Sequence, residues 1–146
     1  MSVVNAPVSE EEPPRGYHLL FTDGNKNPGG SPMIGGVLLH RKNGKLRVAP
    51  GSEFSRRVEG DSIDVWEYTA LIEGLMLANE RKVRYLSAYM DRHSIVEQVV
   101  KRAKVRGDLK PFYEEVLRLT DGMIYFRLSW IPRELNKRAD EIARHP

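Results

Sequence analysis

Four carboxylates in this chain sit where an acid is either costly to place or aimed at something. Asp23 follows an apolar run, Tyr17–Thr22 (YHLLFT), and precedes a stretch of almost pure turn chemistry, Asn25–Ser31 (NKNPGGS). Asp91 follows a second such run, Val83–Met90. Glu67 precedes Leu71 by four residues and Leu75 by eight, so it projects from the apolar face of a helix, in its first turn. A carboxylate there is costly unless a cation or a donor meets it. Asp140 lies beside a packing stripe of Leu135, Ala139 and Ile142, with Asn136 one turn earlier on the same side. Taken singly, each has an ordinary structural reading: a turn aspartate, a partner for a buried arginine, a helix surface. Together they offer only hard oxygen ligands. Such a set suits two Mg²⁺ or Mn²⁺ ions about 3.5–4 Å apart, clamping the attacking water and the leaving oxygen of a phosphodiester.

The elements that must position these acids follow from the hydrophobic pattern. Tyr17–Thr22, apolar on both faces, reads as a buried central strand ending at Asp23-Gly24. Pro32–His40 reads as a strand, and Asn43-Gly44 as a hairpin turn into a third, from Lys45 towards Arg57. From Asp64 to Glu80 the period becomes helical. A strand over Val83–Met90, helices over Ile95–Val105 and Lys110–Leu119, a strand over Ile124–Ile131 and a last helix over Arg133–Arg144 complete the pattern. The order β-β-β-α-β-α-α-β-α is that of an α/β domain opening with a meander. Asp23 and Asp91 then lie at strand C-termini, outside which open α/β sheets bind ligands, and the two carboxylates meet if their strands are parallel neighbours. Trp66 and Trp130 read as core, and His93 as a cap of the following helix.

At 146 residues the chain is long enough for one domain with a real core. Residues 1–15, with three prolines and the acidic block Glu10–Glu12, read as a disordered tail ahead of a domain over 16–146. The absence of cysteine excludes thiol nucleophiles and Cys-based zinc sites. No apolar run reaches the length of about 20 residues that spans a bilayer, and no secretory signal opens the chain, so a cytoplasmic protein is expected. Net charge is +3, but the tail carries −2 and the remainder +5. Lys101, Arg102, Lys104, Arg106 and Lys110 stand against Asp108, the footprint of a polyanion binder or of a solvated helix face.

The segments FTDGNKNPGG, VWEYTALIEGL, YMDRHSIVEQV and WIPRELNKRADEIA, in this order, resemble the type 1 ribonuclease H family over roughly residues 17–144. The resemblance implies a five-stranded mixed sheet flanked by helices: the antiparallel meander plus two parallel strands. It also implies metal-dependent cleavage of the RNA strand of RNA–DNA hybrids, with Asp23, Glu67, Asp91 and Asp140 matching the family's catalytic, metal-binding acids. Substrate contacts are expected from Gly24, Asn25 and Asn27 in the first turn, and from Arg92, Arg133, Asn136, Lys101, Arg102 and Lys104. Asn136 is expected to support Asp140. The family's frequent Asn-Asn pair, which contacts the hybrid's minor groove, is here Ile63-Asp64. The serine or threonine after the third acid is Arg92, and the mobile histidine loop carries Trp130 and Arg133. The basic insertion of some members is reduced to Gly107-Asp108-Leu109, as in archaeal and reverse-transcriptase-type members. Other readings of the same residues are cleavage of double-stranded RNA, or a hybrid- or RNA-binding module with little turnover. Nothing points to a membrane or to an obligate protein partner.

Overall fold

The computed structural model describes residues 3–5, 18–26, 29–42, 45–101 and 104–144, with the backbone alone at 3–5, 41–42 and 142–144. Its elements in chain order are β1 (Val3–Asn5), β2 (His18–Lys26), β3 (Pro32–Lys42), β4 (Lys45–Arg57), α1 (Ile63–Glu80), β5 (Tyr85–Met90), α2 (His93–Lys101), α3 (Lys110–Thr120), β6 (Tyr125–Trp130) and α4 (Lys137–Arg144). The sheet order is β1-β6-β5-β2-β3-β4. Strands β2, β3 and β4 form the antiparallel meander, and β5 and β6 join β2 in parallel. The expected five-stranded mixed sheet is therefore present.

A sixth strand is added to it. Val3–Asn5 pairs in parallel with β6, Val4 opposite Arg127. The disordered tail expected over residues 1–15 is corrected at these three residues, whose backbone groups are taken up by the ladder. The rest of that tail lies outside the described residues, as do the Asn43-Gly44 turn and Asn27.

Strand β2 overruns its expected end for a related reason. Its pairing with β5 stops at Phe21 opposite Tyr89, but its pairing with β3 continues to Lys26 opposite Pro32. A ladder partner on one side suffices to hold the extended backbone past Asp23. Asp23 is thus not at the end of β2; it lies where β2 parts from β5, two residues beyond the last pair. Asp91, two residues beyond Tyr89 and one past the end of β5, occupies the matching position.

One sheet face packs against α1, α2 and α3. Leu20, Leu86, Phe126 and Leu128 meet Leu71, Leu75, Ile95 and Val116 there, all buried. Each such side chain contributes roughly 1.5–3 kcal/mol on burial. The last helix, α4, lies against β2, β3 and β4 instead. The continuous helix expected over Arg133–Arg144 is broken: a short 3₁₀ turn, Arg133–Leu135, precedes Asn136, and α4 starts after it. Leu135, expected in the packing stripe, is consequently exposed, whereas Ala139 is fully buried.

Between Val37 opposite Glu53 and Leu39 opposite Val48, the β3–β4 register shifts, so Ala49 to Ser52 face the single residue Leu38. Arg81, just after α1, holds this bulge by donating to the Pro50 carbonyl (2.9 Å) and the Ser52 hydroxyl (3.1 Å). Among the described residues no helix is long and apolar enough to cross a membrane.

Candidate active site

The parting of β2 from β5 opens a cleft of about 450 Å³ lined by Gly24, Asn25, Glu67, Asp91, Arg92 and Arg133, among others. Three of the sequence's acids meet beside it, and two of them, Glu67 and Asp91, line it. One ligand oxygen each from Asp23, Glu67 and Asp91 lies within 4.8 Å of the other two. Asp23 and Glu67 are each 3% exposed, and Asp91 is half-buried.

Gly24 makes this approach possible. A Cβ there would come within 2.9 Å of the Trp66 backbone and 3.1 Å of the Glu67 nitrogen, so a side chain would push α1 off the strand. The Gly24 amide also donates to the Glu67 carboxylate. Gly24, expected at substrate, lines the cleft and also brings β2 up to α1.

Electrostatics mark this as a place for added positive charge. Burial, and then the charges of Glu67 and Asp91, push the Asp23 carboxyl far above its ordinary range. Burial and Asp91 likewise push Glu67 up, against the opposing pull of its hydrogen bonds to Asp23 and Gly24 and of the Arg92 charge. Without a cation the cluster keeps protons that isolated carboxylates would have lost. Glu67 Oε2 is buried and has no hydrogen-bond partner among the described residues. A buried oxygen without a donor, among clustered carboxylates, is what a hard divalent cation would satisfy, so the residues present fit such an ion.

Asp140, half-buried on α4, hydrogen-bonds Asp23 and accepts from Asn25 Nδ2 at 2.9 Å. It adjoins the three acids from the side. Asn25, expected at substrate, is thereby directed to Asp140. Asn136 is 1% exposed, and its Nδ2 donates to the Thr22 carbonyl and to Asp91 Oδ2, both at 2.9 Å. The expected support of Asp140 by the Asn136 side chain is corrected to support of Asp91. Its carbonyl does accept from the Asp140 amide at 3.2 Å, within the backbone of α4.

Of the basic residues, Arg92 and Arg133 line the cleft. Lys101 faces Glu97 at 3.5 Å along α2, Lys104 is exposed, and Arg102 lies outside the described residues. The basic stretch reaches the rim through Arg106, whose Nη2 lies 3.5 Å from Asp64 Oδ2. Asp64 in turn accepts from Arg92 Nε at 2.8 Å. Trp66 is buried as expected, its indole donating to the Gly60 carbonyl at 2.9 Å. Trp130 is not: it is 41% exposed, donates to the Asp91 carbonyl at 3.2 Å and meets His93 edge-on. Its place at the end of β6, next to a strand-end acid, was the signal for that position.

Residues 21–146 match the family described as reverse transcriptase-like. No curated protein matches the chain. Among solved structures, the N-terminal RNase H domain of a Mycobacterium tuberculosis protein is 25% identical, with a TM-score of 0.76 over 88% of this chain and 96% of that one. LC11-RNase H1, isolated from compost by a metagenomic approach and solved in complex with an RNA/DNA hybrid, is 27% identical, with a TM-score of 0.73 over 87% and 94% of the two chains. RNase H1 from the halophilic archaeon Halobacterium salinarum shares the fold at 22% identity, with a TM-score of 0.76 over 88% and 96%. With the sheet, the acids and these likenesses in agreement, the chain belongs to the reverse transcriptase-like family, as an enzyme of the type 1 ribonuclease H kind.

Proposed function

We propose that this protein is an endoribonuclease that hydrolyses the RNA strand of RNA–DNA hybrids, with two divalent cations, Mg²⁺ or Mn²⁺, held by Asp23, Glu67, Asp91 and Asp140. The observation that carries this reading is the Asp23–Glu67–Asp91 cluster, with a buried, donor-less Glu67 oxygen at the floor of an open cleft. A similar solved protein in complex with an RNA/DNA hybrid supports the choice of substrate.

Bound divalent ions would supply a nucleophile active at neutral pH and neutralise charge on the scissile phosphate. The chain's own residues do the rest. Gly24 and the parting of β2 from β5 fix how far apart the acids stand. Asn136 holds the orientation of Asp91, and Asn25 that of Asp140. Exposed Arg133 offers a charge to the phosphodiester backbone, and exposed Trp130 a flat apolar face at the cleft's edge. RNA is told from DNA by its 2′-hydroxyls across a shallow minor groove.

The test is cleavage of labelled RNA–DNA, RNA–RNA and DNA–DNA duplexes with Mg²⁺, Mn²⁺ or EDTA. Metal-dependent cutting of the RNA strand in the hybrid is expected. Cutting that survives EDTA, or a preference for DNA–DNA, would refute the reading.

A further inference from the structure

At the rim of the cleft, Asp64 in the first turn of α1 gathers groups from two other segments. Arg92 Nε donates to its Oδ1 at 2.8 Å, Ser94 Oγ lies 3.3 Å from the same oxygen, and Arg106 Nη2 is 3.5 Å from Oδ2. The Asp64 side chain is 14% exposed, and that of Arg92 39%. Only Nε of Arg92 is engaged; its two terminal amino groups have no partner among the described residues, and the guanidinium lines the cleft close enough to Glu67 to pull on its charge. Arg106 is held a second time by Asp108 at 3.3 Å.

A long cationic side chain on a surface ordinarily samples many rotamers and loses that freedom when it must stand in one place. Here Nε is fixed while the outer edge of the fork stays open. That edge presents two parallel N–H donors, the geometry that grips two oxygens of one phosphate. We infer that Arg92 is a backbone-phosphate clamp beside the acids, and that Asp64 is a positioning residue that holds it aimed, with Ser94 and Arg106 bracing Asp64. Asp64 acts through Arg92 and does not touch the nucleic acid itself. The inference rests on reading the cleft as the nucleic-acid site.

The experiment is equilibrium binding of a labelled RNA–DNA duplex to the full chain in EDTA, across a salt series, so that no turnover is needed. Arg92→Ala is expected to weaken binding about tenfold, because the charge-assisted hydrogen bonds of the fork are lost with it. It should also flatten the slope of log affinity against log salt by about 0.9, one phosphate's worth. Arg92→Lys should keep the slope and lose part of the affinity, because charge remains and the fork does not. Asp64→Ala should weaken binding in the native background and have no effect on top of Arg92→Ala. Asp64→Asn, which keeps an acceptor for Nε, should retain more affinity than Asp64→Ala. An unchanged slope in Arg92→Ala overturns the clamp, and an equal effect of Asp64→Ala in both backgrounds overturns the positioning role. Failure of the nuclease reading would show separately, as absence of metal-dependent hybrid cleavage by the native chain.

Discussion

Asp91→Asn removes one negative charge from the cluster yet leaves an oxygen and an amide of the same size. Hydrolysis should fall by about 10³-fold or more, since a metal contact contributes several kcal/mol and each 1.36 kcal/mol is tenfold. The circular dichroism spectrum should not change; full activity would rule out the mechanism. Asp23→Asn tests the electrostatics directly. In the metal-free native protein the Asp23 and Glu67 carboxyls are raised above their unfolded values of 3.8 and 4.5. The folded state therefore binds more protons than the unfolded one above that range, and stability must fall as pH rises through it. In EDTA, melting temperature should decline from pH 5 to pH 8 in the native chain. The decline should be shallower in Asp23→Asn, which should melt several degrees higher at pH 8. A native chain that gains stability with pH in EDTA would contradict the raised carboxyls. Asn136→Ala should lower activity about 10–100-fold, as loss of a group that orients a metal ligand does, with most of the loss recovered at high metal concentration.

The four acids stood out because each follows an apolar run or lies on or beside a core-facing stripe, where the hydrophobic pattern alone shows something out of place. The element boundaries were less legible. Turn residues at Asn25–Ser31 suggested that β2 stops at Asp23, but the ladder to β3 carries it to Lys26. Asn136 sits in helical periodicity, and nothing local shows that its amide prefers the Thr22 carbonyl and Asp91, contacts more than forty residues away in the chain. Tertiary hydrogen bonds overrode propensity in both cases. β1 was illegible because three residues carry no period, and their strand exists only through β6. The basic stretch belongs to this scale as well. Lys101 and Lys104 should set affinity without choosing sequence, since phosphate contacts position rather than specify. Replacing both with alanine should reduce the salt slope by about 1–2 if they touch phosphates. An unchanged slope would make them a solvated face, with Arg106 the sole member of the described stretch tied to the rim.

For the molecule as a whole, the choice of duplex is the property on which the departures from the family bear most. Ile63, 48% exposed on the cleft, has no donor where the resemblance offers an amide, so RNA–DNA and RNA–RNA should be discriminated weakly. Ile63→Asn, which leaves the Asp64–Arg92 pair intact, should raise the ratio of hybrid to RNA–RNA cleavage severalfold. If the native chain already ignores RNA–RNA and the substitution changes nothing, another surface reads the second strand. The bulge held by Arg81 has a different consequence. β4 is a thirteen-residue strand at the free edge of the sheet, with Leu46 and Val48 exposed on it. A flat edge of that length is a template on which a second copy could add its own strand, the first step of aggregation. Pro50 lacks a donor, Gly51 turns the backbone through φ +74°, and charged Lys45 and Arg47 alternate with the apolar pair. The bulge thereby interrupts the edge between Val48 and Glu53, and releasing it with Arg81→Ala should appear as concentration-dependent self-association in light scattering before any loss of catalysis.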